Sequence, residues 1–351
     1  MGVIFGLIGL SIIVFIHELG HMLAAKAMGI GVPEFSVGMG PKLASFQYKN
    51  TRYFLRLLPL GGFVKLSGLE DPEADIPPQE NYRQKPVYAR LITILAGPLS
   101  NIVLGFLLLT TLFAIVGAPT QLSNAIDKVI TGSPAQAAGL RVGDKILAVN
   151  GRAVTDPMSD IITMVHRSAG KPVTLTVKRE NHLFQAGPIQ PRLLGNSKTT
   201  YAIGIQLGAP HVPYSLPQAV RAGAIETWRQ MGMFFKSIRM LITREASVGD
   251  LMGPVGIIQL TSSQAQKGLV PMLGIMAVIS ISLGVINLVP LPVLDGGHIL
   301  LLGVEAVRGK PLSTKWETRI MNTGVALLVT LMVMVVLNDI INWKVRMGIF
   351  S

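Results

Sequence analysis

The sequence contains no cysteine among its 351 residues. It therefore has no disulfide framework and no thiol nucleophile, and it cannot build a cysteine-type zinc site. Any bound metal must be held by nitrogen and oxygen ligands. Charged residues make up only 14% of the chain, whereas hydrophobic residues make up 50% and the mean hydropathy is +0.51. This composition excludes an ordinary soluble protein and indicates an integral membrane protein.

Four apolar stretches are each close to the roughly 20 residues that a membrane-spanning helix needs. They cover residues 2–28, 91–116, 272–304 and 323–341. The first has no basic segment before it, runs past the length of a signal-peptide core and contains ionisable residues, so we expect it to be retained. The sequence thus predicts an α-helical membrane protein with about four transmembrane helices.

The basic residues predict how the chain lies in the membrane, because short cytoplasmic loops carry an excess of Lys and Arg. Nine of them lie between Lys26 and Arg90, and four more crowd the connection before the last span: Arg308, Lys310, Lys315 and Arg319. We expect both loops in the cytoplasm, and both termini outside. The net charge of +12 is thus assigned to topology and contact with the lipid bilayer, since no nucleic-acid motif is present.

The residue pattern of the sequence changes between the second and third spans, in the segment that this topology puts outside the cytoplasm. Residues 125–208 alternate turns with short β-rich runs, at 125–131, 145–149, 173–178 and 201–207, which predicts a small mixed α/β domain. Residues 215–244 are roughly helical and basic, and predict a helix that lies on the membrane surface or packs on the preceding domain. The predicted regions are an N-terminal membrane half (1–116), the extracytoplasmic domain (117–210), a basic amphipathic region (211–269) and a C-terminal membrane half (270–351).

A short apolar, Gly-rich run lies between the first two spans, at residues 52–68. It is too short to cross the membrane. It predicts either a re-entrant hairpin, whose backbone must be paired or buried in protein, or an ordinary cytoplasmic hairpin. The acidic, Pro-rich residues 70–80 that follow predict a solvated linker.

The strongest motif is His17-Glu18-Leu19-Gly20-His21 in the first span. On a helix the two imidazoles lie one turn apart on one face, where both can bind one zinc ion with Glu18 beside the metal-bound water. Inserting ionisable residues into the bilayer costs free energy, so such residues within a span are expected to have binding partners or a function. We interpret His17 and His21 as metal ligands and Glu18 as the catalytic residue; the alternative is that they only bridge neighbouring helices.

A catalytic zinc site usually has three protein ligands, so a carboxylate from another span is required. Asp295 is the only Asp or Glu inside the third span proper, because Glu305 lies at its end, where an ion pair with Arg308 is expected. Asp295 is therefore the predicted third ligand of one Zn²⁺ per chain. His298 is interpreted as a supporting or packing residue, because a fourth ligand would close the site.

Two prolines, Pro290 and Pro292, and two glycines interrupt the third span around Asp295. They should unwind the helix near the metal and expose backbone that could receive an extended substrate. The alternative is a simple proline kink in which Asp295 only pairs helices.

Taken in order, four motifs resemble those of the site-2 protease family of intramembrane zinc metalloproteases, most closely its bacterial RseP-like members. They are HELGH, AGPLSN (residues 96–101), SPAQAAGLRVGDKILAVNG (133–151) and NLVPLPVLDGGH (287–298). The resemblance spans nearly the whole chain. It implies an endopeptidase with a four-span core in the bacterial inner membrane, its active site toward the cytoplasmic side. The expected substrates are transmembrane segments of single-span membrane proteins, such as anti-sigma factors or remnant signal peptides.

The same resemblance implies roles for further segments. Residues 133–151 belong to an extracytoplasmic PDZ domain whose cleft would take peptide termini by strand addition. Only one such domain fits here, so the size-gating role of the tandem pair in the best-known RseP-like enzymes is not expected. GPVGI (253–257) is also similar to a family motif, without an assigned role. The predicted substrate-binding residues, which include the two prolines, are Gly61, Gly62, Phe63, Val64, Lys65, Asn287, Pro290 and Pro292.

Two other classes of protein could also place histidines and carboxylates within membrane spans. A metal-ion transporter would usually show several ligand sets along a pathway, whereas the ligands here converge on one site. A catalytically silent scaffold could bind membrane proteins through the PDZ domain, but binding alone does not need Glu18. The protease remains the favoured interpretation.

Overall fold

The structure is a computed structural model that describes residues 2–69, 76–119, 123–193, 201–208, 211–243, 245 and 253–341. It divides into two compact units, Met1–Ile115 with Ser215–Ser351, and Val116–Tyr214. Each unit has its own cluster of buried apolar side chains. The linker predicted at residues 70–80 lies partly outside the described residues.

Helices dominate the first unit. They are α1 (Gly2–Ala27), α2 (Val87–Ile115), α5 (Leu216–Ile242), α6 (Pro254–Lys267), α7 (Leu269–Asn287), α8 (Asp295–Arg308) and α9 (Thr314–Ile341). Four of the described helices are long and apolar enough to cross a membrane, over Ile4–Ala27, Val87–Ile115, Leu269–Asn287 and Lys315–Asp339. These match the four predicted stretches, although the third ends before residue 304 and the fourth begins before residue 323.

Helix α2 connects much of the first unit, because it packs on α1, α5, α7 and α8. Small residues let these helices come close to one another. A side chain at Gly20 of α1 would collide with the Ala96 carbonyl of α2, and one at Gly284 of α7 with the Pro98 carbonyl. Helix α2 thus joins the helix that carries the HELGH motif to the helix that ends at Asn287.

The third apolar stretch is two helices rather than one. Helix α7 ends at Asn287 and α8 begins at Asp295. The residues between them contain Pro290 and Pro292, which lack the N–H that a continuous helix requires, and Val293 has a left-handed φ of 81°. The predicted unwinding is therefore confirmed, and the single span predicted over residues 272–304 is corrected.

A long hairpin follows α1, formed by β1 (Glu34–Tyr48) and β2 (Thr51–Lys65). The strands pair antiparallel with several register shifts, so that Phe35 lies beside both Tyr53 and Val64. Strand β2 packs on α1. The hairpin predicted at residues 52–68 is thus its second strand, and the prediction missed the first. Whether it re-enters the membrane stays a prediction.

The basic region forms α5, which packs on α2 and α7. Thr227 is buried and Gly223 lies against Thr110 of α2. Trp228 and Ile225 of the same helix are exposed. The predicted amphipathic helix is confirmed. The sequence predicted that it would lie on the membrane surface or pack on the preceding domain, and neither prediction included its packing on α2 and α7. A location at the membrane surface remains a prediction.

The GPVGI segment opens α6, which packs on α1 and α9. The backbone N–H groups of Gly253 and Gly256 donate to the two carboxylate oxygens of Asp339, at 3.1 and 2.9 Å. Asp339 is buried at 1% exposure and belongs to α9. A carboxylate at a helix N-terminus satisfies backbone donors that have no partner within the helix. GPVGI therefore serves to join α6 to α9.

The second unit is a small mixed α/β structure. Its central sheet has four strands, which lie side by side in the order Arg152–Ala153, Lys145–Val149, Val173–Arg179 and His182–Ile189. The described elements are β3 (Ala118–Pro119), β4 (Ile126–Val129), α3 (Pro134–Ala137), β5 (Lys145–Val149), β6 (Arg152–Ala153), a helical turn (Pro157–Thr163), α4 (Met164–Arg167), β7 (Val173–Arg179), β8 (His182–Ile189), β9 (Arg192–Leu193), β10 (Tyr201–Ala202), β11 (Ile205–Leu207) and β12 (His211–Val212).

The core of this unit is made of branched apolar side chains. Ile146, Val149, Leu175 and Val177 are fully buried between the sheet and the helical segments. Such residues are favoured in half-buried strands, which is why the sequence pattern located β5 and β7. Strand β8 was missed because its burial does not alternate regularly along the strand.

Candidate active site

Two histidines of the HELGH motif point into the first unit from α1. His17 is 7% exposed and His21 is 5% exposed, and their Nε2 atoms lie 3.2 Å apart. The spacing of four residues accounts for this, because such side chains lie one above the other on a helix. The two imidazoles can therefore provide two ligands to one metal ion.

Asp295 completes the cluster from the first turn of α8. Its Oδ2 lies 3.1 Å from His17 Nε2, and its Oδ1 lies 3.4 Å from His21 Nε2. The break between α7 and α8 places the first residue of α8 opposite α1. The structure therefore brings together two motifs that lie far apart in the sequence, as predicted.

These distances fit a tetrahedral zinc site. Ligand atoms bound to zinc at about 2.0–2.1 Å stand about 3.3 Å from one another. The two Nε2 atoms are 3.2 Å apart, and they lie 3.1 and 3.4 Å from Oδ2 and Oδ1 of Asp295, respectively, which is close to this value. Asp295 Oδ2 is also buried and makes no hydrogen bond within the described residues, despite its short distance from His17 Nε2. Two imidazoles and a carboxylate form a usual catalytic zinc donor set, and the residues therefore fit this metal.

Glu18 lies beside the ligand cluster and not within it. Its carboxylate faces the backbone N–H of Val64 in β2. Gly62 approaches closely, so that a β-carbon there would lie 3.5 Å from Glu18 Cγ and 2.8 Å from the Ser36 carbonyl oxygen. The hairpin thus holds the side chain of Glu18 next to the two histidines.

A cavity of about 320 Å³ opens at the cluster. Glu18, Val64, Asn287 and His298 line it together with the three ligands. Asn287 and Val64, which were both predicted to bind substrate, therefore line the cavity that contains the three ligands. His298 lines the cavity but is not among the converging ligand atoms, in agreement with its interpretation as a supporting residue.

The other predicted substrate-binding residues do not line this cavity. Pro290 is exposed and Pro292 packs against Gly324 of α9, so both shape the break between helices. Gly61 lies against Met39, and Phe63 lies under the Arg56 guanidinium at 5.3 Å. Lys65, the last residue of β2, is half-buried. For these residues a role toward substrate stays a prediction.

Three residues of α2 belong to the site although no role was predicted for them. Thr93 places its carbonyl oxygen 2.9 Å from His21 Nδ1, and Asn101 places its Nδ2 3.3 Å from His17 Nδ1. Gly97 lies against the His21 ring, where any β-carbon would collide. The available signal was Asn101 itself, because a polar amide inside an apolar span requires a partner.

Glu305 pairs with Arg90 of α2 and not with Arg308, which corrects the expected ion pair. One bond of this bidentate pair, from Arg90 Nη1 to Glu305 Oε2, measures 2.9 Å. Arg83 and Glu317 form a second pair at 2.9 Å.

Both pairs line a cavity of about 170 Å³, which shares the lining residues Leu69 and His298 with the cavity at the ligands. Tyr82 lines it as well, and burial raises the pKa of its hydroxyl above the ordinary value. The ion pairs thus join α2 and the preceding loop to α8 and α9, next to the candidate site.

Known proteins similar to this chain match almost all of it. The regulator of sigma-W protease RasP from Bacillus subtilis is 30% identical over 407 residues, covering 93% of this chain and 95% of its own. The zinc metalloprotease RasP from Geobacillus kaustophilus has the same identity and coverage. A Clostridium perfringens protein named as a zinc metalloprotease is 34% identical over 342 residues, covering 97% and 99%.

Among solved structures, the PDZ domain of the SdrC-like protein from Listeria monocytogenes matches 26% of this chain and 92% of its own, at 27% identity and a TM-score of 0.22. The sequence profile of peptidase family M50 matches residues 5–331. That range includes the HELGH motif and Asp295, and the resemblance drawn from the motifs is confirmed. The chain therefore belongs to peptidase family M50, the site-2 protease family.

Proposed function

We propose that this protein is a zinc-dependent endopeptidase that cleaves transmembrane segments of single-span membrane proteins. One observation carries the proposal: His17, His21 and Asp295 offer ligand atoms within 4.8 Å of one another, with Glu18 beside them. They converge from a helix long and apolar enough to cross a membrane and from the helix after the break. A cluster of ionisable residues on apolar helices of this kind is expected to have a chemical function.

His17, His21 and Asp295 would hold one Zn²⁺, which supplies Lewis-acid polarisation and lowers the pKa of bound water. Glu18 accepts the proton of the attacking water and then donates it to the nitrogen of the leaving amine. The Val64 backbone N–H faces this carboxylate from β2. Gly62 lets β2 pack closely on β1 beside Glu18, because a β-carbon there would collide with the Ser36 carbonyl oxygen.

The substrate would bind as an extended segment between β2 and the break that follows α7. Val64 and Asn287 line the cavity from these two sides. We assign Asn287 to hold the substrate backbone and residues 61–65 to run along it, with Pro290 and Pro292 keeping the break open. A helical substrate must unwind locally before its amide reaches the ligands. Inserting Gly or Pro near the cut of a reporter substrate should therefore raise its cleavage rate, and unchanged rates would contradict this step.

The name of one relative supports a substrate class. RasP of Bacillus subtilis is named as a regulator of a sigma factor. We propose that this protein acts likewise in regulated intramembrane proteolysis, on an anti-sigma factor, or else on remnant signal peptides. Residues 117–210 would form one PDZ domain outside the cytoplasmic membrane, binding peptide termini. The excess of basic residues in the short loops supports an active site toward the cytoplasm.

The decisive measurement is the zinc content of the purified full-length chain. Wild type should hold about one zinc, Asp295→Ala should lose it, and the matched control Glu317→Gln should keep it. Cleavage of a single-span reporter should then require wild type, with Glu18→Gln as the inactive zinc-bound control. No zinc in wild type, even after zinc is supplied, would contradict the proposal and favour a scaffold. Zinc without cleavage, together with zinc transport into vesicles, would favour a transporter.

A further inference from the structure

The two histidines of the candidate site differ in what their second ring nitrogen contacts. His21 Nδ1 lies 2.9 Å from the backbone carbonyl oxygen of Thr93, and His17 Nδ1 lies 3.3 Å from the side-chain amide of Asn101. Both partners belong to α2 and are fully buried at 0% exposure. One histidine is thus supported by backbone and the other by a side chain.

These contacts decide which nitrogen of each ring carries the proton. Both Nε2 atoms face Asp295, so binding a metal there requires Nε2 without a proton and Nδ1 with one. A carbonyl oxygen can only accept a hydrogen bond, so Thr93 selects this tautomer for His21. His17 needs an equivalent acceptor on its Nδ1–H.

Asn101 is the residue able to supply that acceptor. In the observed orientation its Nδ2 faces His17, and its buried Oδ1 has no hydrogen-bond partner within the described residues. A carboxamide offers an acceptor and a donor at similar positions, exchanged by a rotation of about 180°. After that exchange Oδ1 accepts from His17 Nδ1–H. The backbone of Asn101 is held independently, because its own carbonyl oxygen accepts from the Ser280 hydroxyl at 2.7 Å.

We propose that Asn101 is a positioning residue that keeps His17 in the tautomer with a free Nε2, through its Oδ1 as hydrogen-bond acceptor. This inference rests on the zinc site of the proposed function. It gives the AGPLSN segment two roles toward the ligands: Gly97 makes room for the His21 ring, and Asn101 orients the His17 ring. It also predicts an asymmetry, because a side-chain substitution can remove the support of His17 but not that of His21.

The test compares zinc dissociation constants of full-length variants by chelator competition. Asn101→Leu keeps a similar volume but has no acceptor, and should weaken zinc binding by about 10- to 100-fold. Asn101→Asp, which can only accept from Nδ1–H, should restore affinity to within a few-fold of wild type. Thr110→Val removes another buried polar group of α2, away from the ligands, and should change nothing. Rescue by Asp and not by Leu separates an acceptor from a packing role.

A second readout does not depend on the folding of a variant. In zinc-loaded wild type labelled with ¹⁵N-histidine, the His17 nitrogens should show a protonated Nδ1 and a metal-bound Nε2. A metal-bound Nδ1, or wild-type affinity in Asn101→Leu, would overturn the inference while leaving the zinc site intact. Equal losses in the Leu and Asp variants would overturn it as well. Absence of zinc from wild type would instead contradict the proposed function itself.

Discussion

The two compact units differ in which side chains they bury and which they expose. The first buries His17, Asn101 and Arg90 while leaving residues such as Val103 and Leu327 exposed. The second buries branched apolar side chains, such as those of Ile146 and Leu175. An apolar exterior suits hydrocarbon, where polar groups must find partners within the protein. The comparison teaches that in the first unit polar contacts carry the chemistry and join the helices, whereas in the second unit apolar burial supplies stability.

The largest expected effect comes from the carboxylate beside the ligands. Glu18→Gln should lower proteolysis by about 10²- to 10⁴-fold, because an amide cannot take up the proton of the attacking water. Zinc content should stay at the wild-type level, since Glu18 is not among the ligand atoms. The measurement pairs metal analysis with cleavage of a membrane reporter. Full activity in the variant would show that another group moves the proton.

The polar groups of this site were predictable to different degrees. The HELGH spacing is local, and a helix converts it directly into two imidazoles on one face. Asp295 could be predicted because few carboxylates occur within the apolar stretches. The contacts of Asn101 and Thr93 could not, because they depend on which face of α2 meets α1, and packing sets that face. The predicted partner of Glu305, Arg308, was wrong for the same reason, because Arg90 is distant in sequence and adjacent in space.

In the fold, sequence patterns predicted the long helices and some of the strands, among them β5 and β7, whereas strand register and strand length were not predicted. Strand β1 was missed because its outer half is exposed and mixes apolar residues with glycine, proline and polar residues. The break after Asn287 was predictable, since two prolines cannot continue a helix. The residue at which α8 resumes was not, because close backbone packing at Gly296 and Gly297 decides it.

The second-largest effect concerns the ion pairs that join the helices of the first unit. Glu305→Gln leaves the Arg90 guanidinium, 9% exposed, without a charged partner and should lower the free energy of unfolding by about 3–5 kcal/mol. The matched variant Glu317→Gln breaks a pair whose Arg83 is 29% exposed, and should cost about 1 kcal/mol or less. Thermal unfolding in detergent micelles compares them. Equal shifts would show that burial does not set the strength of these pairs.

A smaller effect on the whole protein is expected from the core of the second unit. Ile146→Ala should destabilise that unit by about 2–5 kcal/mol, because Ile146 is fully buried and its loss leaves a cavity. Leu183→Ala, at a site that is 65% exposed, should change stability by about 0.5 kcal/mol or less. Hydrogen exchange in β5 and β7 measures the difference. Zinc content should not change in either variant, and its loss would show that the site depends on the second unit.

The smallest effect should appear as a pH dependence of the second unit alone. Backbone N–H groups of Asp156 and Thr155 donate to Asp160 at 2.9 and 2.7 Å, and lower the pKa of this carboxyl to about 2. A carboxyl whose pKa is lowered by folding stabilises the folded state above its ordinary pKa, and this contribution is lost as the pH falls toward 2. Protection of β5 and β7 from hydrogen exchange should therefore weaken between about pH 5 and pH 2, after correction for intrinsic rates. Asp160→Asn should make this pH dependence less steep. An equally steep loss of protection in the variant would assign the effect to other carboxylates. Asp144, which pairs with Arg179, would be the first of these to test.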